Sequence, residues 1–265
     1  MDQLKQFYTD YADTINAKRL NSPHAVRRYA HARQYKSVLD FVHEGETVLD
    51  AGCGEGALSI MLAKKGAIVT GTDISIPNVQ AAQEYAKSMG VQATFQTADL
   101  ENLPFPDNSF DVVVCSHVLE HIPNFDKGLQ ELARVSRKRV VFAVPTIMNM
   151  CSWVQVGGGQ YYVKGPRSFL ALPVGFLKMI AAFVARTEGV DEGYAGNDVP
   201  HVFRFPSVLR KKIKKYNYRL VTQEASTLCI PYFETLLPIS KMLDTLSKTK
   251  FFRNFGYGTT FVIEK

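Results

Sequence analysis

Between residues 46 and 145, short apolar runs alternate with stretches in which apolar residues recur every three or four positions. Val48-Leu49-Asp50-Ala51 reads as a buried strand that breaks into the turn Gly52-Cys53-Gly54-Glu55-Gly56. Ala57 to Lys65 then has helical spacing and stops at Gly66. Ala67 to Asp73 is a second strand, Ile76 to Met89 a helix, Ala93 to Leu100 a third strand, Val112 to Cys115 a fourth and Arg139 to Pro145 a fifth. Alternation of this kind predicts an open α/β sheet with helices on both faces. Two later runs, Lys215 to Val221 and Gly258 to Glu264, read as a closing antiparallel pair at the sheet edge, which brings the count to seven mostly parallel strands. Residues 1–45 read as a helical cap, with Phe7, Tyr8, Tyr11 and Ile15 on one face and a helix from Pro23 to Phe41. The expected divisions are 1–45 (cap), 46–145 (core), 146–206 (a helical insertion after strand five) and 207–265 (completion of the sheet).

The glycine turn carries the chemistry. Gly52, Gly54 and Ala57 satisfy the dinucleotide pattern G-x-G-x-x-G/A, with Asp73 downstream at a fitting distance. A pyrophosphate, however, needs bare amides and a positive helix end, and Asp50 and Glu55 flank this turn. A cationic nucleoside suits them better, and S-adenosylmethionine carries a sulfonium and an ammonium but no phosphate. Asp73 can accept from ribose hydroxyls, Ile74 can pack on an adenine face and Asp99 can accept from the adenine amine. Each Asp alone also reads as a cap or loop residue; three at successive strand ends match ligand binding at the carboxyl edge of such a sheet.

Residues 46–145 resemble the class I S-adenosylmethionine-dependent methyltransferases, in the branch of quinone-biosynthesis and natural-product enzymes. VLDAGCGEG, GTDIS, ADLENLPFPDNSFD and VVVCSHVLEHI carry the likeness, in that order. The resemblance implies a Rossmann-like fold, with Asp50, Gly52, Cys53 and Gly54 around the methionine part of the cofactor. It further implies Asp73 at the ribose, Ile74 and Leu100 on either side of the adenine, Asp99 at its amine, and Ser116 and His117 beside the sulfonium. In relatives a leading segment of Phe-Tyr-x-x-Tyr character folds over the cofactor, so Tyr8 and Tyr11 are substrate-contact candidates; they read equally as core aromatics.

An imidazole next to the methyl donor suits a general base, and His117 is the first candidate, with His121 and His201 behind it. If residues 117–121 are helical, His117, Glu120 and His121 share a face. A metal-dependent subset of the family has Glu where this chain has His117, so no metal site is expected.

The insertion contains Gly157-Gly158-Gly159, read as a hinge, and an almost wholly apolar run from Phe169 to Ala185. That run is near membrane-spanning length but is interrupted by Pro173, Gly175 and Lys178. A lid over a hydrophobic pocket and a helix lying on a bilayer both fit it, and both imply an acceptor with an apolar part. The net charge is +6, and the basic run 210–215 reads as the solvated face of an amphipathic helix, with an anion contact as the alternative. Four scattered cysteines suggest neither a disulfide framework nor a zinc site. Met1 to Gln6 does not read as a secretory leader, so a cytoplasmic protein is expected, with membrane association left open.

The expected function is methyl transfer to a small, partly hydrophobic acceptor. The alternatives are an RNA methyltransferase, an NAD-dependent oxidoreductase and a non-catalytic cofactor-binding module. Nucleic acid is the less favoured partner, because Ser116-His117-Val118-Leu119 stands where amino-directed DNA enzymes carry a base-holding Asn/Asp-Pro-Pro motif.

Overall fold

The computed structural model describes residue 7, residues 15–192 and residues 200–265. In chain order the elements are α1 (Ile15–Leu20), α2 (Ala25–Leu39), β1 (Thr47–Ala51), α3 (Ala57–Lys64), β2 (Ile68–Asp73), α4 (Ile76–Ser88), β3 (Thr94–Thr97) and β4 (Phe110–Ser116). Then follow α5 (Phe125–Val135), β5 (Ser136–Pro145), α6 (Met150–Val156), α7 (Pro166–Val184), β6 (Gly189–Asp191) and β7 (Val202–Arg204). The chain closes with α8 (Pro206–Lys215), β8 (Arg219–Ala225), α9 (Leu237–Asp244) and β9 (Gly258–Glu264). Seven strands form one sheet in the order β3-β2-β1-β4-β5-β9-β8, and β6 pairs antiparallel with β7 outside it. β1 is parallel to both β2 and β4. The strand order therefore reverses at β1, so the usual ligand position in such sheets, the crevice at the carboxyl ends of the strands, falls at β1 and β4.

Two compact units divide the chain. The first is built on Val38–Phe142 and Val262–Lys265, the second on Arg19–Ser37 and Ala143–Phe261. In the first unit β1 and β4 are buried almost throughout, as strands covered on both faces must be. The long run before β4 is held by one side chain. Arg134 at the end of α5 donates to the carbonyls of Leu103 (2.9 Å) and Phe105 (2.7 Å). It also pairs with Glu131, whose other oxygen accepts the Leu103 amide at 2.9 Å.

In the second unit α6, α7 and the segments around them share a core that includes Ile147, Cys151, Val154, Phe203, Tyr232 and Tyr257. The expected glycine hinge is instead a packed helix stop. Gly158 has φ +87°, its amide bonds to the Gln155 carbonyl and that of Gly159 to the Val154 carbonyl, a Schellman end to α6. A Cβ at Gly157 would lie 1.9 Å from the Ala171 carbonyl oxygen, and one at Gly175 would lie 1.7 Å from that of Trp153. The two helices thus touch backbone to backbone. In α8 Leu209 and Ile213 are buried, while Arg210 bonds Gln223 and Asn254 and Lys212 pairs with Glu188. The helix continues to Lys215, so β8 starts at Arg219 and not at Lys215 as expected. Cys151 and Cys229, 78 residues apart, are free thiols whose sulfur atoms lie 2.7 Å apart in this core.

Candidate functional site

The turn after β1 is shaped by three glycines in the left-handed region, Gly52 (φ 79°), Gly54 (φ 53°) and Gly56 (φ 81°). Gly52 is doubly required. Its φ disfavours a side chain, and an added Cβ would lie 2.2 Å from Val118 Cγ2, where the chain leaving β4 crosses the turn. The amides of this turn face the protein. Gly52 and Cys53 donate to the Thr72 carbonyl at 2.7 and 2.8 Å, and Gly54 donates to Asp73 Oδ2 at 2.8 Å. Amides so engaged are not offered to a phosphate.

Two carboxylates stand against the turn. Asp50, only 1% exposed, accepts from Ser59 Oγ at 2.6 Å. Burial pushes its pKa up to about 7, the neighbouring Asp73 pushes the same way and the Ser59 hydrogen bond opposes both. Asp73, at the end of β2, accepts from the Ser75 amide at 2.9 Å as well as from Gly54. Burial raises its pKa too, against those hydrogen bonds. The Cys53 thiol is raised by burial and by both carboxylates. Two acids that sit uneasily as anions define a place where a cation is welcome.

On the other side of the crevice, β4 ends at Ser116 and residues 117–121 form a turn, not the helix that would have aligned His117, Glu120 and His121. His117 has φ 58°, a left-handed backbone uncommon for a side chain of its size. This backbone brings its Nδ1 to 3.2 Å from Oε1 of Glu120, which is 1% exposed. His117 Nε2 is buried and has no hydrogen-bond partner among the described residues. An imidazole held by a carboxylate at Nδ1 with its second nitrogen unengaged has the arrangement of an oriented base.

The remaining candidates are distributed as follows. Ile74 is half-buried, and Leu100 is buried in the same unit. The third strand is shorter than expected. β3 ends at Thr97 because only Phe95 on this edge strand is buried, and Asp99 lies beyond it in a turn, accepting from the Glu101 amide at 2.9 Å. His121 follows Glu120, its amide bonded to the Val118 carbonyl. His201 belongs to the second unit, where its Nδ1 lies 3.4 Å from Glu192. Tyr8 and Tyr11 lie outside the described residues. Sequence reading missed Ser59, although a serine among the apolar positions of α3 was a signal, and it missed the pairing of Glu120 with His117.

Comparison with known proteins bears on the first unit and on the fold. A family model described as a methyltransferase domain matches residues 49–144. A ubiquinone biosynthesis O-methyltransferase of Coxiella burnetii is 39% identical over 90 residues, 34% of this chain and 38% of the relative. The chloroplastic magnesium protoporphyrin IX methyltransferase of Arabidopsis thaliana is 39% identical over 126 residues, 44% of this chain and 39% of the relative. Magnesium protoporphyrin IX methyltransferase from Synechocystis, solved with bound S-adenosylmethionine, has a TM-score of 0.58 at 19% identity, covering 99% of this chain and 97% of that one. That likeness is one of fold. The chain spans 38% to 53% of the length of the curated relatives it matches. The segment that matches the methyltransferase-domain model, residues 49–144, holds β1 to β5 of the seven-stranded sheet.

Proposed function

We propose that this chain is an S-adenosylmethionine-dependent methyltransferase acting on a small, partly hydrophobic acceptor. The observation that carries the cofactor choice is the turn after β1, where the amides are taken by Thr72 and Asp73 while two raised carboxylates remain. A pyrophosphate would meet anions there and few free donors, which argues against the nicotinamide-dinucleotide reading. Asp50 and the turn Gly52-Cys53-Gly54 would hold the methionine part, Asp73 the ribose, Ile74 and Leu100 the adenine, Asp99 its amine, and Ser116 the region of the sulfonium. When bound, the cofactor supplies a methyl group on a leaving group good enough that in-line transfer needs mainly alignment and desolvation. The chain's own contribution is to place the acceptor and take its proton. His117 Nε2 receives that proton, and Glu120 is a positioning residue that fixes the ring through Nδ1. His121 and His201 are secondary candidates.

The small-molecule acceptor follows the relatives, whose names specify a quinone-pathway and a porphyrin substrate. Residues 146–206 are proposed to select it. A cytoplasmic setting belongs to the same reading, supported by four buried free thiols.

Calorimetry with S-adenosylmethionine, S-adenosylhomocysteine and NADH tests the cofactor, and binding of NADH alone would sink the proposal. Mass spectrometry of methyl transfer to catechols, quinols and porphyrin carboxylates then tests the reaction; cofactor bound without turnover on any of them would favour the binding-module alternative. His117→Ala should lower kcat by about 10²–10⁴-fold, the ordinary worth of a general base, with cofactor Kd unchanged and partial rescue by added imidazole. Glu120→Gln should lower kcat about tenfold with KM unchanged, the split expected when a base keeps its place but loses its orientation.

A further inference from the structure

Helix α7 presents its apolar side outward. Ser168, Ala171, Gly175 and Met179, spaced three or four apart, are buried against the second unit. The wide remaining face exposes Phe169, Leu170, Val174, Phe176, Leu177, Ile180, Phe183 and Val184, with Leu170 and Phe183 each 69% and Leu177 65% exposed. An ordinary surface helix turns its apolar stripe inward; this one buries three small residues and Met179 and shows most of its large ones. Contiguous exposed apolar surface of this kind marks an interaction site.

We propose that this face seats the protein on an anionic phospholipid bilayer, with α7 lying in the plane of the interface. Charge selects the occupant. From residue 143 to 187 the chain carries Lys164, Arg167, Lys178 and Arg186 and no Asp or Glu. Lys164 and Arg167 flank the start of the helix and Arg186 its end. Lys178 is the one charge within the apolar stretch, and its Nζ is drawn back to the Val156 carbonyl at 2.7 Å, where the carboxyl end of α6 favours a cation. Cations at the helix ends and none projecting from the middle suit a layer of negative headgroups over hydrocarbon.

The orientation follows from packing. The helix has spanning length and composition, with mean hydropathy 1.6 over its best window. Yet Gly175 is held against the backbone of Trp153 and Gly157 against that of Ala171, and Trp153 meets Phe176 edge to face at 4.9 Å. Tied to α6 over its middle, from Ala171 to Lys178, α7 is a packed element of the second unit, and a packed element that meets a bilayer by its outer face lies flat. The inference stands on the second unit alone and goes beyond the methyl-transfer reading.

Flotation of the full chain with vesicles of phosphatidylcholine, with and without phosphatidylglycerol, tests it. The expected result is partition into the anionic vesicles at least tenfold stronger than into neutral ones, weakening with salt. Leu170→Glu with Leu177→Glu should abolish binding. Arg167→Glu with Arg186→Glu should weaken it by about fivefold or more for each charge removed. Circular dichroism and cofactor calorimetry on the same variants separate loss of docking from loss of fold, and keep this result apart from the cofactor question. No partition of the wild type, or partition unaffected by the α7 substitutions, overturns the proposal. So does a dimer by sedimentation velocity that the leucine variants dissolve while vesicles are ignored, since the face would then be covered by a second copy.

Discussion

At the scale of single residues, the acid at position 50 sets a pH dependence of defined sign. The folded protein holds the Asp50 proton up to about pH 7, against an ordinary carboxyl value of 3.8, so charging it costs stability as pH rises between these values. The shift is worth on the order of 4–5 kcal/mol at ~1.4 kcal/mol per unit. A cation bound beside it favours the ionised form, so cofactor affinity should rise with pH from about 5 to about 7 and then level off. Asp50→Asn should abolish that slope in calorimetry, weaken cofactor binding by about tenfold or more, and leave the protein at least as stable at neutral pH. Wild-type affinity flat across this range would remove Asp50 from the site. Gly52→Ala should cost about 1–2 kcal/mol for the left-handed backbone alone. Its Cβ would also displace Val118 and so the strand exit that carries His117, so melting temperature and turnover should fall together.

At the scale of elements, what was legible was whatever repeats or ends cleanly. The strand–turn–helix from Val48 to Gly66 reads directly, because buried parallel strands are continuous apolar runs and the glycines punctuate them. α4 has nearly its expected bounds, since Ser75 caps it by accepting from the Asn78 amide at 3.1 Å. The β6–β7 pair, three residues a side, carries too little pattern to be read. The contact between His117 and Glu120 depends on one left-handed residue, and nothing in the alternation of polar and apolar positions announces a positive φ. The three glycines at 157–159 were read by their usual freedom, whereas here Gly157 and Gly159 serve close approach and Gly158 the left-handed end of α6. That contact can be tested: Gly175→Val should force α7 off α6 and lower the urea midpoint, at the upper end of the ~1–3 kcal/mol typical of overpacking. An unchanged midpoint would mean that the helices are not in backbone contact.

At the scale of the whole molecule, one contribution to acid stability sits at the starts of β1 and β4. Asp111 accepts from the Thr47 amide (3.1 Å) and hydroxyl (3.0 Å) and so ties the start of β4 to the start of β1. Those hydrogen bonds, with Lys138 nearby, hold its carboxyl at about 2. A lowered carboxyl contributes stability above its unfolded value and loses it as the proton returns. Unfolding free energy should therefore fall from about pH 4 towards 2, and Asp111→Asn should flatten that fall in acid titrations followed by circular dichroism. The open, mostly parallel seven-stranded sheet was legible at this scale because several motifs stood in register. The outward face of α7 was not, because hydropathy reports that a helix is apolar and not which side finds a neighbour.

If Asp73 holds the ribose as proposed, it does so with oxygens already engaged by the backbone of Gly54 and Ser75. The cradle is therefore finished in advance, and an incoming guest need not organise it. Capture should then be quick and accompanied by little rearrangement, with selectivity residing in how soon the wrong guest leaves.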